Sequence, residues 1–415
     1  MHHRRVVQEK NQLIVDMKRL KKHFATYEPA LEALQIKFES CVKEKSLIRM
    51  ERDRYAHKVE LLQQQINDTK LDNETLASKI ITKDSDPKEE GKKDKKKSKD
   101  SLWPSDTLEN PFVDTVFDPV GVSSFMLQKT YKGHLMAISA MAVHPRKPIL
   151  ATVSDDMSWK MWSLPNGELI MSGDGHKEWI ADVDFHPKGT SLATASGDGT
   201  VKVWDFMNAC CASTFTDHSQ PVWGVAYHVS GDFLASCSMD RTAKLWDLNS
   251  QKCRQTYRGH VDSVNALCWQ PFSNNLCTGS ADKTVSIWDM RSGLCVQTFY
   301  GHKNAINGVA FNLKATEIAS ADADGVIKLW DVRMVVERMH ISTGNQPLNQ
   351  VKLDRSGTVL IAACDDGSIK LYNTTNGESL GELRGHTNSV QSVCFDRQGK
   401  FLLSSGADNT FRVWN

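Results

Sequence analysis

A 42-residue period governs most of the chain: Asp156, Asp198, Asp240, Asp282, Asp324, Asp366 and Asp408 follow one another at that step, with no insertion or deletion between them. A repeat of this length is one supersecondary unit that cannot bury its apolar face alone, so neighbouring units must stack to make a core. Six residues after each Asp stands Trp162, Trp204, Trp246, Trp288, Trp330, Tyr372 or Trp414, and four of these begin a Trp-Asp dipeptide. Twenty-two residues before each Asp stands His134, His176, His218, His260, His302, then Gly344, then His386, and five of the six histidines follow a glycine. Within a unit, short alternating apolar runs are separated by turn formers. In the second these are Ile180–Phe185, the turn at His186-Pro187-Lys188-Gly189, Ser191–Ala195, the turn at Asp198-Gly199, and Val201–Trp204. Such runs predict three strands, a, b and c, with a fourth, d, after the Trp.

Gly-His followed by Trp-Asp at this period resembles the WD-repeat family, over about residues 123–415. The resemblance implies an all-β propeller of seven four-stranded blades. It also implies a buried hydrogen-bonded tetrad in each blade: His134, Thr152, Asp156 and Trp162; His176, Thr194, Asp198 and Trp204; His218, Ser236, Asp240 and Trp246; His260, Thr278, Asp282 and Trp288; His302, Ser320, Asp324 and Trp330; His386, Ser404, Asp408 and Trp414. The sixth repeat has Gly344, Ala362 and Tyr372 at these positions and is expected to lack the network. Asn415 follows directly on the Trp of the last strand c, so the seventh blade needs a strand d from elsewhere. Residues Phe125–Tyr131 match the strand d that leads into Gly259-His260, and are expected to close the ring.

Ser or Thr, His and Asp recur in six of the seven repeats, but a hydrolytic triad needs one activated nucleophile in a cleft, not six buried copies. No phosphate-binding glycine loop and no His-Glu-x-x-His is present. The chain reads as a non-catalytic scaffold with no cofactor and no metal site. Its partners are expected on the face formed by the d-to-a loops and b-to-c turns. Trp179 and Trp223, from adjacent blades, stand there among small and polar residues, with Asp155, Met239 and Asp365 on the same rim. Trp159 and Trp269 align with apolar strand positions and are expected in the core.

Residues 1–81 carry a different period. Leu13, Leu20, Tyr27, Leu34 and Cys41 begin one seven-residue series, Met17, Phe24, Leu31 and Phe38 another, and the 3.5-residue spacing holds for about ten heptads. A seam this long predicts a coiled coil, as a homodimer or with another chain's helix. Lys45, Arg52 and Asn73 at the a positions favour a dimer, and Pro29 kinks the helix or marks its start. Residues 82–122 form a charged linker, expected to be mostly disordered, with lysines from Lys92 to Lys99 that read as a spacer, an acidic-surface contact or an import signal.

A net charge of +1 offers no global attraction to nucleic acid or an anionic membrane. The ten cysteines include no C-x-x-C, and neither a signal peptide nor a membrane-length apolar run is present, so a reduced cytoplasmic or nuclear setting is expected. Several families join a coiled coil, a charged linker and a propeller, among them the lissencephaly dynein regulators and the autophagy conjugation scaffolds. The stretches Gly175–Pro187 and Ser154–Trp162 look most like the axonemal sperm-associated antigen WD-repeat family. That likeness implies the central apparatus of motile cilia and flagella, with microtubule-associated central-pair proteins as partners. A cargo, ubiquitin-ligase or autophagy adaptor and a nuclear regulatory scaffold are the other readings.

Overall fold

The computed structural model describes residues 103–104 and 110–415, except 116, 123–124 and 397–398; the heptads of 1–81 and the lysine run lie outside the described residues. Among the described residues, twenty-eight strands form seven four-stranded antiparallel sheets. Six are consecutive in sequence. The seventh is made of Val390–Phe395, Leu402–Gly406, Thr410–Trp414 and then Leu127–Lys132. Leu127 pairs with Trp414 and Lys132 with Thr410. Reciprocal bonds between Met126 and Asn415, 2.8 and 3.0 Å, finish the ladder.

Why the strands take this order follows from their burial. Strand b has a strand on each edge and a blade on each face, so Phe233–Ser238 is buried throughout. Strand d is the outer edge, and Cys210–Thr214 is largely exposed. The core is divided among seven clusters, one at each interface between adjacent blades. At the first, Trp159 meets Trp204 at 5.5 Å. Trp159 is buried, whereas Trp269 is only partly so and reaches across to donate to the Ala226 carbonyl at 3.0 Å.

Every strand a pairs with strand b through a register shift after its first residue, as between Ile138 and Ala140. A bulge leaves one residue out of the ladder and re-aims its side chain. The residues so released are Ser139, Ala181, Trp223, Asn265, Asn307, Asn349 and Gln391. Four of them donate to the first strand-a carbonyl of the next blade: Ser139 to Ile180, Asn265 to Ile306 at 3.1 Å, Asn307 to Leu348 at 2.9 Å and Asn349 to Val390 at 2.8 Å.

The end of the 82–122 segment departs from the disorder expected of it. Trp103 stacks on Phe233 at 5.6 Å, Asn110 donates to the Leu313 carbonyl at 2.9 Å, and Val120 and Val122 pack beside Phe125. Scattered aromatic and aliphatic residues, too few to show a period, find seats on the finished propeller.

Candidate functional site

Each tetrad begins with an indole. Trp204 Nε1 donates to Thr194 Oγ1 at 2.9 Å, that hydroxyl lies 2.7 Å from His176 Nε2, and His176 Nδ1 lies 3.1 Å from Asp198 Oδ2. With the proton on Nδ1, every donor in the chain has an acceptor. Blades one, three, four and seven repeat the arrangement through His134, His218, His260 and His386. Burial pushes the imidazoles of His134, His176 and His386 below their ordinary value, which keeps them neutral. Burial alone would raise the Asp198 carboxyl, but bonds from Thr200, the Lys177 amide and His176 outweigh it and hold the group at about 2. Asp156 and Asp282 are likewise held at about 2. The hydroxyls are wholly buried and already bonded, so these triads are struts within blades.

Blade five corrects one assignment. His302 Nδ1 is bonded to Asp322 at 2.8 Å, not to Asp324, while His302 Nε2 meets Ser320 at 2.6 Å and Trp330 donates to Ser320 at 2.8 Å. Asp322 occupies the end of strand b, where blades one to four carry Ser154, Ser196, Ser238 and Ser280. Each of those serines accepts the amide of the tetrad Asp. The longer Asp322 side chain does both tasks, with one oxygen taking the amides of Asp324 and Val326 and the other the imidazole. Asp324 is left at the exposed rim, accepting from Asn304 at 2.8 Å. In blade six, Asp366 is exposed and accepts only local bonds from Ser368, and Lys370 lies 3.8 Å away.

The tetrads anchor the d-to-a loops that frame the channel mouth. There Trp179 and Trp223 come together, ring centroids 4.9 Å apart. Trp179 lies over Gly197, where an added Cβ would stand 2.4 Å from the indole and force it to move. Trp223 is a bulge residue and remains 38% exposed. Met239, at the b-to-c turn of blade three, is exposed. Asp155 and Asp365 sit at the same turn of blades one and six, on the rim but outside the aromatic pair. Sequence reasoning missed Leu135 (85% exposed), Met136 and Met157, all on blade one. Their signal was present, since they flank His134 and Asp156 where other repeats carry mostly polar or small residues. With Trp179, Trp223 and Met239 they give blades one to three an apolar sector, while blades four to seven present mostly Asp, Asn, Ser, Thr and Lys at these positions.

Below the mouth lies a channel of about 1080 Å3. Asp182 and Asp184 line its wall and accept the amides of Val225 at 3.0 Å and Tyr227 at 2.8 Å, joining blade two to blade three. Burial pushes their carboxyls up, to about 6 and about 7, against those hydrogen bonds. Among the described residues no group of His, Cys, Asp or Glu is placed to hold a metal ion, and no helix is long and apolar enough to cross a membrane.

Comparison with known proteins agrees with the repeat. The model of the WD domain, G-beta repeat, matches residues 125–163, 167–205, 209–247, 251–289, 293–331, 337–373 and 377–415. The flagellar WD repeat-containing protein Pf20 of Chlamydomonas reinhardtii is 47% identical over 209 residues, which is 43% of this chain and 34% of that protein. The sperm-associated antigen 16 proteins of Mus musculus and Homo sapiens are 39% identical over 214 residues and 40% identical over 200, again over 43% of this chain and 34% and 32% of theirs. The aligned part thus spans about a third of these relatives. With seven matched repeats, seven blades and indole–hydroxyl–imidazole–carboxylate networks inside six of them, the chain belongs to the WD-repeat family.

Proposed function

We propose that the chain is a non-catalytic interaction scaffold of the ciliary or flagellar axoneme, working in the central apparatus and supporting motility. The observation that carries the scaffold reading is the apolar sector at the channel mouth. Exposed apolar residues clustered on one side of an otherwise polar face mark a partner site, and Trp is the residue type most enriched where binding energy concentrates. The axonemal part is supported by the flagellar and sperm-associated relatives. Partners seat on the Trp179–Trp223 pair, with Leu135, Met136, Met157 and Met239 extending the contact and Asp155 and Asp365 at its margin. The heptads of residues 1–81 pair two copies of the chain.

The test is a tagged chain in ciliated cells. The intact protein is expected along the axoneme and in the pellet of salt-washed axonemes, and the Trp179→Ala/Trp223→Ala variant is expected to melt like the parent yet be lost from that pellet. A chain spread evenly through the cytoplasm would overturn the axonemal reading. Undiminished sedimentation of the double variant would overturn the site.

A further inference from the structure

The face opposite Trp179 and Trp223, built from the a-to-b and c-to-d turns, is already occupied. The described residues 103–104, 110–115 and 117–122 run beneath blades three to seven and use three aromatic seats. Trp103 lies flat on Phe233, with the Arg254 guanidinium 4.7 Å from its ring. Phe112 meets Phe272 at 5.5 Å and forms part of the channel wall. Phe117 lies under Arg355, again at 4.7 Å. A turn sets the angle of the middle seat: Asn110 accepts the Phe112 amide at 2.9 Å while donating to the Leu313 carbonyl at 2.9 Å.

This segment is docked on the propeller without being built into it. All seven sheets have four strands without it, so its departure opens no ladder. No ladder holds it: beside the aromatic seats it is tied by the bond of Asn110 to the Leu313 carbonyl, by Arg291 donating to the Pro104 carbonyl and by the Val120 amide donating to Asp354 at 3.5 Å, and Val113, Asp114, Asp118 and Pro119 face outward. The seats themselves, Phe233, Arg254, Phe272 and Arg355, belong to the blades.

We propose that this second face is a peptide-docking groove, that the described residues 103–104, 110–115 and 117–122 are its resident occupant bound in cis, and that it accepts in trans an extended segment bearing the same order of Trp-Pro, Asn-Pro-Phe and a further Phe. The molecule then has one open interaction surface and one that is gated by its own sequence. Withdrawal of Phe112 also opens the lower end of the channel.

The test uses the full chain and a fluorescent synthetic peptide with the sequence of residues 101–122. A resident occupant lowers apparent affinity by the fraction of time it fills the groove, so the Trp103→Ala/Phe112→Ala chain is expected to bind the peptide at least about tenfold more tightly than the parent chain. Adding Phe272→Ala to that variant, or placing the two alanines in the peptide, is expected to abolish binding. Equal affinity of parent and variant, or indifference to Phe272→Ala, would overturn the groove. Hydrogen exchange on the unmodified chain guards against a variant that does not fold. The amides of Thr115 and Val120 are expected to exchange through local opening, at least about 100-fold faster than those of strand b. Exchange only by global unfolding would show a permanent part of the fold and overturn the proposal.

Discussion

Blades five and six are neighbours, and both depart from the network that the other five share. Blade five keeps it by moving the carboxylate two residues earlier, to Asp322, at the cost of the serine that stands there in blades one to four. Blade six drops three of the four partners at once and leaves the fourth, Asp366, at the exposed rim. Gly344, Ala362 and Tyr372 replace His, hydroxyl and Trp, and Ala362 and Tyr372 belong to the apolar cluster shared with blade five. The pair teaches that the tetrad is one unit of satisfaction. A buried carboxylate, imidazole or hydroxyl without its partners is expensive, whereas replacing the whole set by apolar groups can be neutral.

The sharpest way to break this comparison is Asp322→Ala, which leaves the buried imidazole of His302 and the amides of Asp324 and Val326 without their acceptor. A loss of about 3 kcal/mol in urea unfolding is expected, because the carboxylate takes several buried hydrogen bonds at once and each donor would be left unsatisfied. If Asp324→Ala proved as costly as Asp322→Ala, the assignment of the blade-five carboxylate would be wrong. Next in size is Ala362→Ser, which gives blade six a lone buried hydroxyl; about 1 kcal/mol of destabilisation is expected by the same measurement. A stabilised variant would show that blade six retains a hidden partner.

Titration separates a third environment, the channel wall of blade two. The carboxyls of Asp156, Asp198 and Asp282 are depressed to about 2, so their contribution is present above the unfolded value of 3.8 and is lost as pH falls toward 2. Asp182 and Asp184 are raised to about 6 and about 7, so the folded chain holds protons that the unfolded chain has released, and stability falls as pH rises from about 4 to 7. In Asp182→Asn/Asp184→Asn, unfolding midpoints across that range are expected to lose this decline. A slope identical to the parent's would place it elsewhere. The smallest effect belongs to Asp366→Ala, exposed and held only by Ser368 of its own turn and a loose ion pair with Lys370, at under about 0.5 kcal/mol by thermal melting.

The repeat and the tetrads were legible because a closed ring of like blades imposes the same register seven times. Asp322 was hidden by that same regularity, since Asp324 kept the repeated position and the displaced carboxylate showed only as a missing serine. Trp179 and Trp223 could be placed on the mouth from their register, but their mutual contact depends on a bulge and on Gly197, which no single-repeat pattern announces. Trp103, Phe112 and Phe117 carried no period at all, because an extended segment lying on a finished surface is shaped by that surface and not by its own repeat.

The closing strand Leu127–Lys132 has a consequence for how the molecule is made. During synthesis it emerges well before Thr410–Trp414, the strand it must pair with, so it waits unpaired while six blades assemble behind it. The contact that seals the ring joins residues nearly 290 positions apart, a loop whose closure is slow and comes last. Until then the nascent chain offers two open edges to any passing strand, and its safety rests on the speed of one final pairing.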